Sequence, residues 1–376
     1  MSHIKTLKKE KKAIIQKFGQ RSNMKALWQT LNTSIPYFAL FYIAIDQVSN
    51  APWLSLAASL LLILFLMRVF MMMHDCGHDS LYNNPTLNKI VGFFMGVLCG
   101  IPQQVWSKHH AYHHATNGDW EKYQGPLSCI STKDYEVLSE KQKKSYRNSR
   151  NIWLAPVGGF MYFIFNPRFN WLKGCIQFVI HTIKNIFSGT FSYKKITTSF
   201  KTASWASWQE FIHMTGNNLV LLSIWYFSAS YFGWAEFFCV YTFVISLSGA
   251  LGIILFTVQH NFEHSYASNS NNWDYYLGAL EGTSYLDLPK ILHWFTADIG
   301  YHHVHHLNAK IPNYNLKKCH EEYETIFESV TRIKLNQAAH SFKYILWDKD
   351  LGKMVSVNEY RDRIASPSVT ENLNNA

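Results

Sequence analysis

The sequence predicts an all-α integral membrane protein: four transmembrane helices in two hairpins, with interfacial helices and a cytosolic helical cap that holds a histidine-rich site. Three observations carry this. Apolar residues make up 48% of the 376 and charged residues only 16%, a balance usual for a chain partly in lipid. The apolar residues come in blocks with the charges between them, so a mean hydropathy of −0.10 averages the blocks away. The 18 histidines include three tight clusters, each placed beyond an apolar stretch.

A basic head (1–27) leads into the first hairpin (28–73). Crossing ~30 Å of hydrocarbon takes about 20 mostly apolar residues. Trp53–Met73 meets this with one charge, Arg68, whereas Trp28–Gln47 is interrupted by Asn32, Thr33 and Ser34 and contains Pro36. Arg68 has three readings: a lipid-headgroup contact, a brace for the site, or a side chain snorkelling to the interface. In the second hairpin (213–258), Asn218–Trp234 is short but uncharged, and Glu236–Val258 is charge-free after its first residue.

Residues 74–212 are expected at or below the membrane surface. Lys89–Ile101 stops at Pro102, and Ile152–Phe165 stops at Asn166, Pro167 and Arg168. Trp171–Phe187 carries Lys173, Gln177, His181 and Lys184, which suits a helix lying in the interface. Residues 259–376 form a cytosolic portion whose polar end, Ser366–Ala376, is expected to be disordered. We read 1–376 as a single domain, because the histidine clusters flank the second hairpin and need each other.

Net charge is +10, and its placement sets orientation. Residues 1–33 carry eight Lys or Arg, while the links at 48–52 and near 235 carry none. The positive-inside rule then puts the amino terminus in the cytoplasm. A basic, polar start is unlike a cleavable signal peptide. Six scattered cysteines without a CxxC fit a reducing compartment and argue against a zinc knuckle.

The first cluster is His74 and His78 in HDCGH, the second His110, His113 and His114 in HHAYHHATNG, the third His302, His305 and His306 in GYHHVHHLN. Residues three or four apart share a helix face, so each cluster aims two or three imidazoles at a common point. Imidazole suits iron, zinc, copper and nickel alike. Eight candidates exceed the needs of one metal, and two metals is the economical reading. With four crossings and none at Lys89–Ile101, all three clusters fall on the cytoplasmic side. His260, at the end of the last span, fits a ligand and equally an interfacial residue, and His264 is one turn further. His109 and His303 lie off their clusters' shared faces, and His293 stays open. His3, His181, His213, His320 and His340 read as surface or hydrogen-bonded residues.

The spacing HxxxH, HxxHH, HxxHH resembles the membrane fatty-acid desaturase family. So do Gln259-His260 before NFE and the run GTSYLDLPKILHWFTADIGYHHVHHLNAKIPNYNLKKCH, which is similar to the acyl-lipid, methyl-end (delta-12-like) branch. The resemblance covers about residues 60–350. It implies two iron ions held by the eight clustered histidines with His260 as the ninth, and a fatty-acyl or membrane-lipid substrate threaded between the helices. O2 would be the oxidant, on the cytoplasmic face. His302 stands where front-end desaturases often have Gln, and the chain has no HPGG haem motif, which implies a separate electron donor of ferredoxin or cytochrome b5 type. Ligating imidazoles are usually oriented through their other ring nitrogen. Asp75, Asp79, Asn117, Asp298 and Asn308 are the nearby candidates for that task, with capping or surface hydration as the alternative for each.

The basic surface suits an anionic leaflet or an acidic electron carrier, and no nucleic-acid partner is expected. A hydroxylase or ketolase on the same scaffold, acting on acyl, alkane or carotenoid chains, is the nearest rival function, and a sphingolipid is a further substrate variant. A non-catalytic metal-binding or transport protein is the rival of a different class, but transport calls for ligands near mid-membrane rather than at span ends.

Overall fold

A computed structural model of the chain describes residues 2–122 and 129–365. The tail Ser366–Ala376, expected to be disordered, lies outside the described residues. The first five helices are α1 (Ser2–Phe18), α2 (Asn23–Asp46), α3 (Pro52–Gly77), α4 (Pro85–Leu98) and α5 (Gln103–Thr116). The chain forms two compact units, one of residues 23–109 and 156–249, the other of 1–22, 110–155 and 250–376. Each is assembled from stretches distant in sequence.

α3 and the later helix Trp234–His260 are long and apolar enough to cross a membrane. The other two expected spans overlap helices of 24 residues (α2, ending at Asp46) and 25 residues (Trp208–Phe232), both more polar. α2 and α3 pair as a hairpin. Ser55 Oγ donates to Ala44 O at 2.5 Å near its closed end, and Arg68 Nε donates to Thr33 Oγ1 at 3.0 Å. Arg68 is only 2% exposed and ties α3 to α2. A guanidinium removed from solvent is tolerable only because its donors meet acceptors.

α4 alone has 14 residues, about 21 Å of helix, too short to cross. It meets α5 at a bend of 100°, the shape of a broken span or a re-entrant loop. Gly100 makes the turn at φ 71°, where a side chain would be strained. Arg168 clasps this elbow: Nη1 donates to Gly100 O, Nε to Asn218 Oδ1 at 3.0 Å and Nη2 to Asn217 Oδ1 at 2.9 Å. Asn217 Nδ2 in turn donates to Ile101 O at 3.1 Å.

One expectation is corrected. The helical stretch after Ile152 does not stop at Asn166. It passes through a π-helical turn at Met161–Phe165 into a helix spanning Asn166–Phe187. Pro167 cannot donate to the carbonyl four residues back, and that carbonyl, Phe163 O, accepts instead from Arg168 Nη1 at 2.9 Å. The chain is mostly helical, and among the described residues five strands of two or three residues lie in the second unit. β1 (Ile130–Ser131) pairs in parallel with β4 (Leu346–Asp348), which pairs antiparallel with β5 (Lys353–Val355). β2 (Tyr285–Asp287) pairs in parallel with β3 (Arg332–Lys334). Runs this short carry no alternation for a sequence reading to detect.

The second unit also contains α1, which buries Leu7, Ile14 and Phe18 in a cluster with Val304, Leu307 and Leu316. Val304 and Leu307 belong to the short helix His302–Leu307, which carries the third histidine cluster.

Candidate metal centre

Two helices of the second unit bring their histidines together, and helix geometry decides how. At about 100° per residue, positions i and i+4 lie about 40° apart, while i+3 falls about 60° to the other side. Each HxxHH segment therefore divides two to one. His110 and His114 point together and His113 apart; His302 and His306 point together and His305 apart. The result is two interleaved sets.

In one set, His113, His260, His302 and His306 each offer a ring nitrogen, all four within 4.8 Å of one another, and all four residues are buried. His260 Nε2 and His302 Nε2 are 3.0 Å apart. Neither ring nitrogen of His306, both buried, has a hydrogen-bond partner among the described residues. In the other set, nitrogens of His110, His114 and His305 also lie within 4.8 Å of one another, with His110 Nε2 and His114 Nε2 at 3.0 Å. The His114 and His306 rings, one from each set, stack at 4.1 Å.

These sets fit metal ions. Two nitrogens bound at about 2.1 Å and at right angles on one ion sit about 3.0 Å apart, the separation found in both pairs. The buried nitrogens of His306 have no other use. Phe256 packs on the His113 and His260 rings at 5.2 and 4.7 Å, an apolar wall that limits water. Burial and the surrounding His114, His302, His113 and His260 hold His306 well below the usual histidine range, so it is neutral and its lone pair available.

Of His260 and His264, His260 belongs to the buried set and His264 is exposed. The His260 Nδ1–H donates to Gly282 O at 3.2 Å, which turns Nε2 toward His302. Asn117, expected to orient an imidazole, works one step removed: its Nδ2 donates to Gly278 O at 2.7 Å and to Gly282 O at 3.2 Å, fixing the carbonyl that His260 uses. Gln259 Nε2 donates to Ile299 O at 2.8 Å, anchoring the helix end. Tyr275, which the sequence did not flag, donates its hydroxyl to His306 O at 2.9 Å and Leu307 O at 3.1 Å, satisfying carbonyls at the end of the third-cluster helix. A tyrosine 31 residues away carries no sequence signal for that role.

In the first unit, His74 and His78 occupy the end of α3, with ring centroids 4.8 Å apart. His74 Nδ1 meets Asp75 Oδ1 at 3.0 Å, both buried, leaving Nε2 for a metal. Asp75 is thus the carboxylate partner expected. Asp79 instead forms the turn beyond α3, at φ 52°. Asp298, at φ 57°, lies 3.6 Å from His293 Nδ1, and His293 belongs to neither set. Asn308 accepts from Lys310 N at 2.8 Å, the turn-capping alternative. His109 is exposed and His303 points away from both sets, as their positions predicted.

All-imidazole sets, one of them fully buried, in a chain with helices of membrane length suit a metal-binding membrane protein. Comparison with known proteins places it within that class. The family model described as Fatty acid desaturase matches residues 51–333. The "Fatty acid desaturase" of Bacillus subtilis (strain 168) is 34% identical over 341 residues, covering 90% of this chain and 88% of that one. The "sn-1 oleoyl-lipid 12-desaturase" of Anabaena variabilis is 24% identical, covering 84% of this chain and 78% of that one. The chloroplastic omega-6 fatty acid desaturase of Spinacia oleracea is 23% identical, covering 78% and 58% respectively. The chain belongs to the fatty acid desaturase family and is an enzyme of that family.

Proposed function

We propose that this enzyme uses O2 to introduce a cis double bond into the acyl chain of a membrane lipid, with two iron ions held by nine histidines. His113, His260, His302 and His306 hold one. His110, His114 and His305 hold the other, and the family resemblance assigns His74 and His78 as the remaining two ligands. The observation that carries this reading is the division of each HxxHH segment between two imidazole sets, which is what two neighbouring metals require and one metal does not. The acyl-lipid substrate rests on the likeness to the lipid desaturase of Anabaena variabilis.

Iron bound there supplies the oxidising power that no amino-acid side chain has for an unactivated methylene. One O2, two electrons from a separate donor and two protons convert a –CH2–CH2– unit into –CH=CH– and two waters. The chain's own groups bind and orient. His306 is kept neutral by burial, His260 is aimed by Gly282 and His74 by Asp75, and Phe256 keeps the pocket wall apolar. In this reading α2, α3, Trp208–Phe232 and Trp234–His260 cross the membrane, with the histidines on the cytoplasmic face.

The test is the fatty-acid methyl-ester profile of a desaturase-lacking host expressing the chain, beside a His302→Ala, His305→Ala, His306→Ala control, with iron measured on purified protein. A new unsaturated acid absent from the control, with about two irons per chain, supports the reading. Hydroxylated chains instead would reassign the reaction, and zinc in place of iron would overturn the metal.

A further inference from the structure

The helix His302–Leu307 has six residues, and Tyr301 at its start gives it no side-chain cap. A helix that short does not hold itself in place. Three of its side chains, His302, His305 and His306, face the imidazole sets, and Tyr275 holds the carbonyls at its end, so further orientation comes from the opposite side. That side presents His303, Val304 and Leu307. Val304 and Leu307 are fully buried against apolar neighbours, and such contacts resist separation but not sliding or rotation. His303 is the polar member of the three, is fully buried, and lies in neither set. Its Nε2 meets His320 Nδ1, on the helix Asn313–Glu322, at 2.9 Å. Phe327 packs on both rings, at 5.0 and 5.9 Å.

We propose that the His303–His320 hydrogen bond is a positioning device for the metal centre, fixing the rotation of the helix that carries His302, His305 and His306. A directional bond sets an angle where apolar packing does not. The lever is long. A rotation of about 20° moves a ring nitrogen about 6 Å from the helix axis by about 2 Å, whereas metal–ligand distances tolerate about 0.2 Å. The proposal rests on the metal reading above, and it concerns residues that touch no metal.

The test compares shape with hydrogen bonding. His303→Phe and His320→Phe keep a ring of similar size and remove the bond. His303→Gln and His320→Asn place an amide nitrogen or oxygen near the lost Nε2 and Nδ1 and give up the ring. The full-length protein, purified in detergent and stripped of metal, is titrated with ferrous iron, and the Mössbauer spectrum of each loaded form is recorded. The expected result is a loss of about 10-fold or more in iron affinity with an altered spectrum for both Phe variants, and recovery for the amide variants. Phe variants that bind like wild type while the amide variants fail would overturn the proposal, since ring packing alone would then suffice. Equal binding by all four would overturn it too. Because the contrast is made from both partners, a variant that does not fold at one position leaves the other position to decide. Wild-type protein that takes up no iron would instead overturn the metal reading, and the proposal with it.

Discussion

His260 and His302 meet nitrogen to nitrogen at 3.0 Å across 42 residues of sequence, one at the end of a membrane-length helix and the other at the start of a six-residue one. Their nitrogens converge because Gly282 O holds His260 from behind. His260→Ala is expected to lower bound iron from about two per chain to about one or fewer, and to abolish the unsaturated product. His264→Ala, at an exposed position one turn on, should leave both unchanged. Metal analysis with a methyl-ester profile reads both, and equal loss in the two variants would remove His260 from the ligand set.

Asp75 sets the ring of His74 through a buried contact at 3.0 Å. Asp75→Asn keeps the shape and removes the charge, and partners of this kind typically contribute 10–100-fold in metal affinity. Iron titration should show a loss in that range, and an unchanged affinity would assign Asp75 to α3 alone.

Thr33 accepts from the buried Arg68 at 3.0 Å. Thr33→Val removes that acceptor without changing side-chain volume much, at a cost of about 1–3 kcal/mol. A lowered thermal midpoint in detergent with unchanged iron content is expected. A midpoint equal to wild type would mean the contact carries no stability.

Gly278 lies so close to the Asn117 carbonyl that a Cβ would collide with it. The same carbonyl accepts from Trp273 Nε1 at 2.9 Å, so it cannot easily withdraw. Gly278→Ala should destabilise by about 1–3 kcal/mol. It should also weaken iron retention, because Asn117 is displaced from Gly282. Retention at the wild-type level would separate the Asn117 contacts from the site.

Acid should loosen the metal-free protein. Burial, then His320, holds His303 well below the ordinary histidine value; burial, then His114, His302, His113 and His260, does the same for His306. In mild acid the folded chain therefore binds fewer protons than the unfolded one. The stability these groups contribute is present above about pH 6.5 and is lost as pH falls below it. The midpoint of the apoprotein should drop between about pH 7.5 and about pH 5.5, and a flat profile would refute the assignment of these rings as neutral.

Much of the site was legible in the sequence because its ligands lie on helices, where spacing translates directly into direction. His113, His260, His302 and His306 lie together, as do His110, His114 and His305, and His74 and His78 sit side by side at the end of α3. What the spacing also contained, and the reading passed over, is the difference between i+3 and i+4, which sends His113 and His305 away from their own neighbours. Asp75 was legible because it adjoins its partner. Asp298 and Asn308 were not, because both are taken up by turns. The backbone carbonyls of Gly278 and Gly282 have no side chain to announce them. In the scaffold, Pro167 read as a stop because nothing local reveals that Arg168 takes up the carbonyl it leaves. β1–β5 were invisible because two or three residues cannot display a period.

Each HxxHH helix is a beam common to both imidazole sets. Among the described residues, no carboxylate belongs to either set, so no acidic side chain straddles the two positions. Their separation is instead written into the pitch of the α-helix: about 60° of azimuth between His110 and His113, and the same between His302 and His305. A tilt of either beam would reshape both sites together, so the spacing between them is as stiff as the backbone itself.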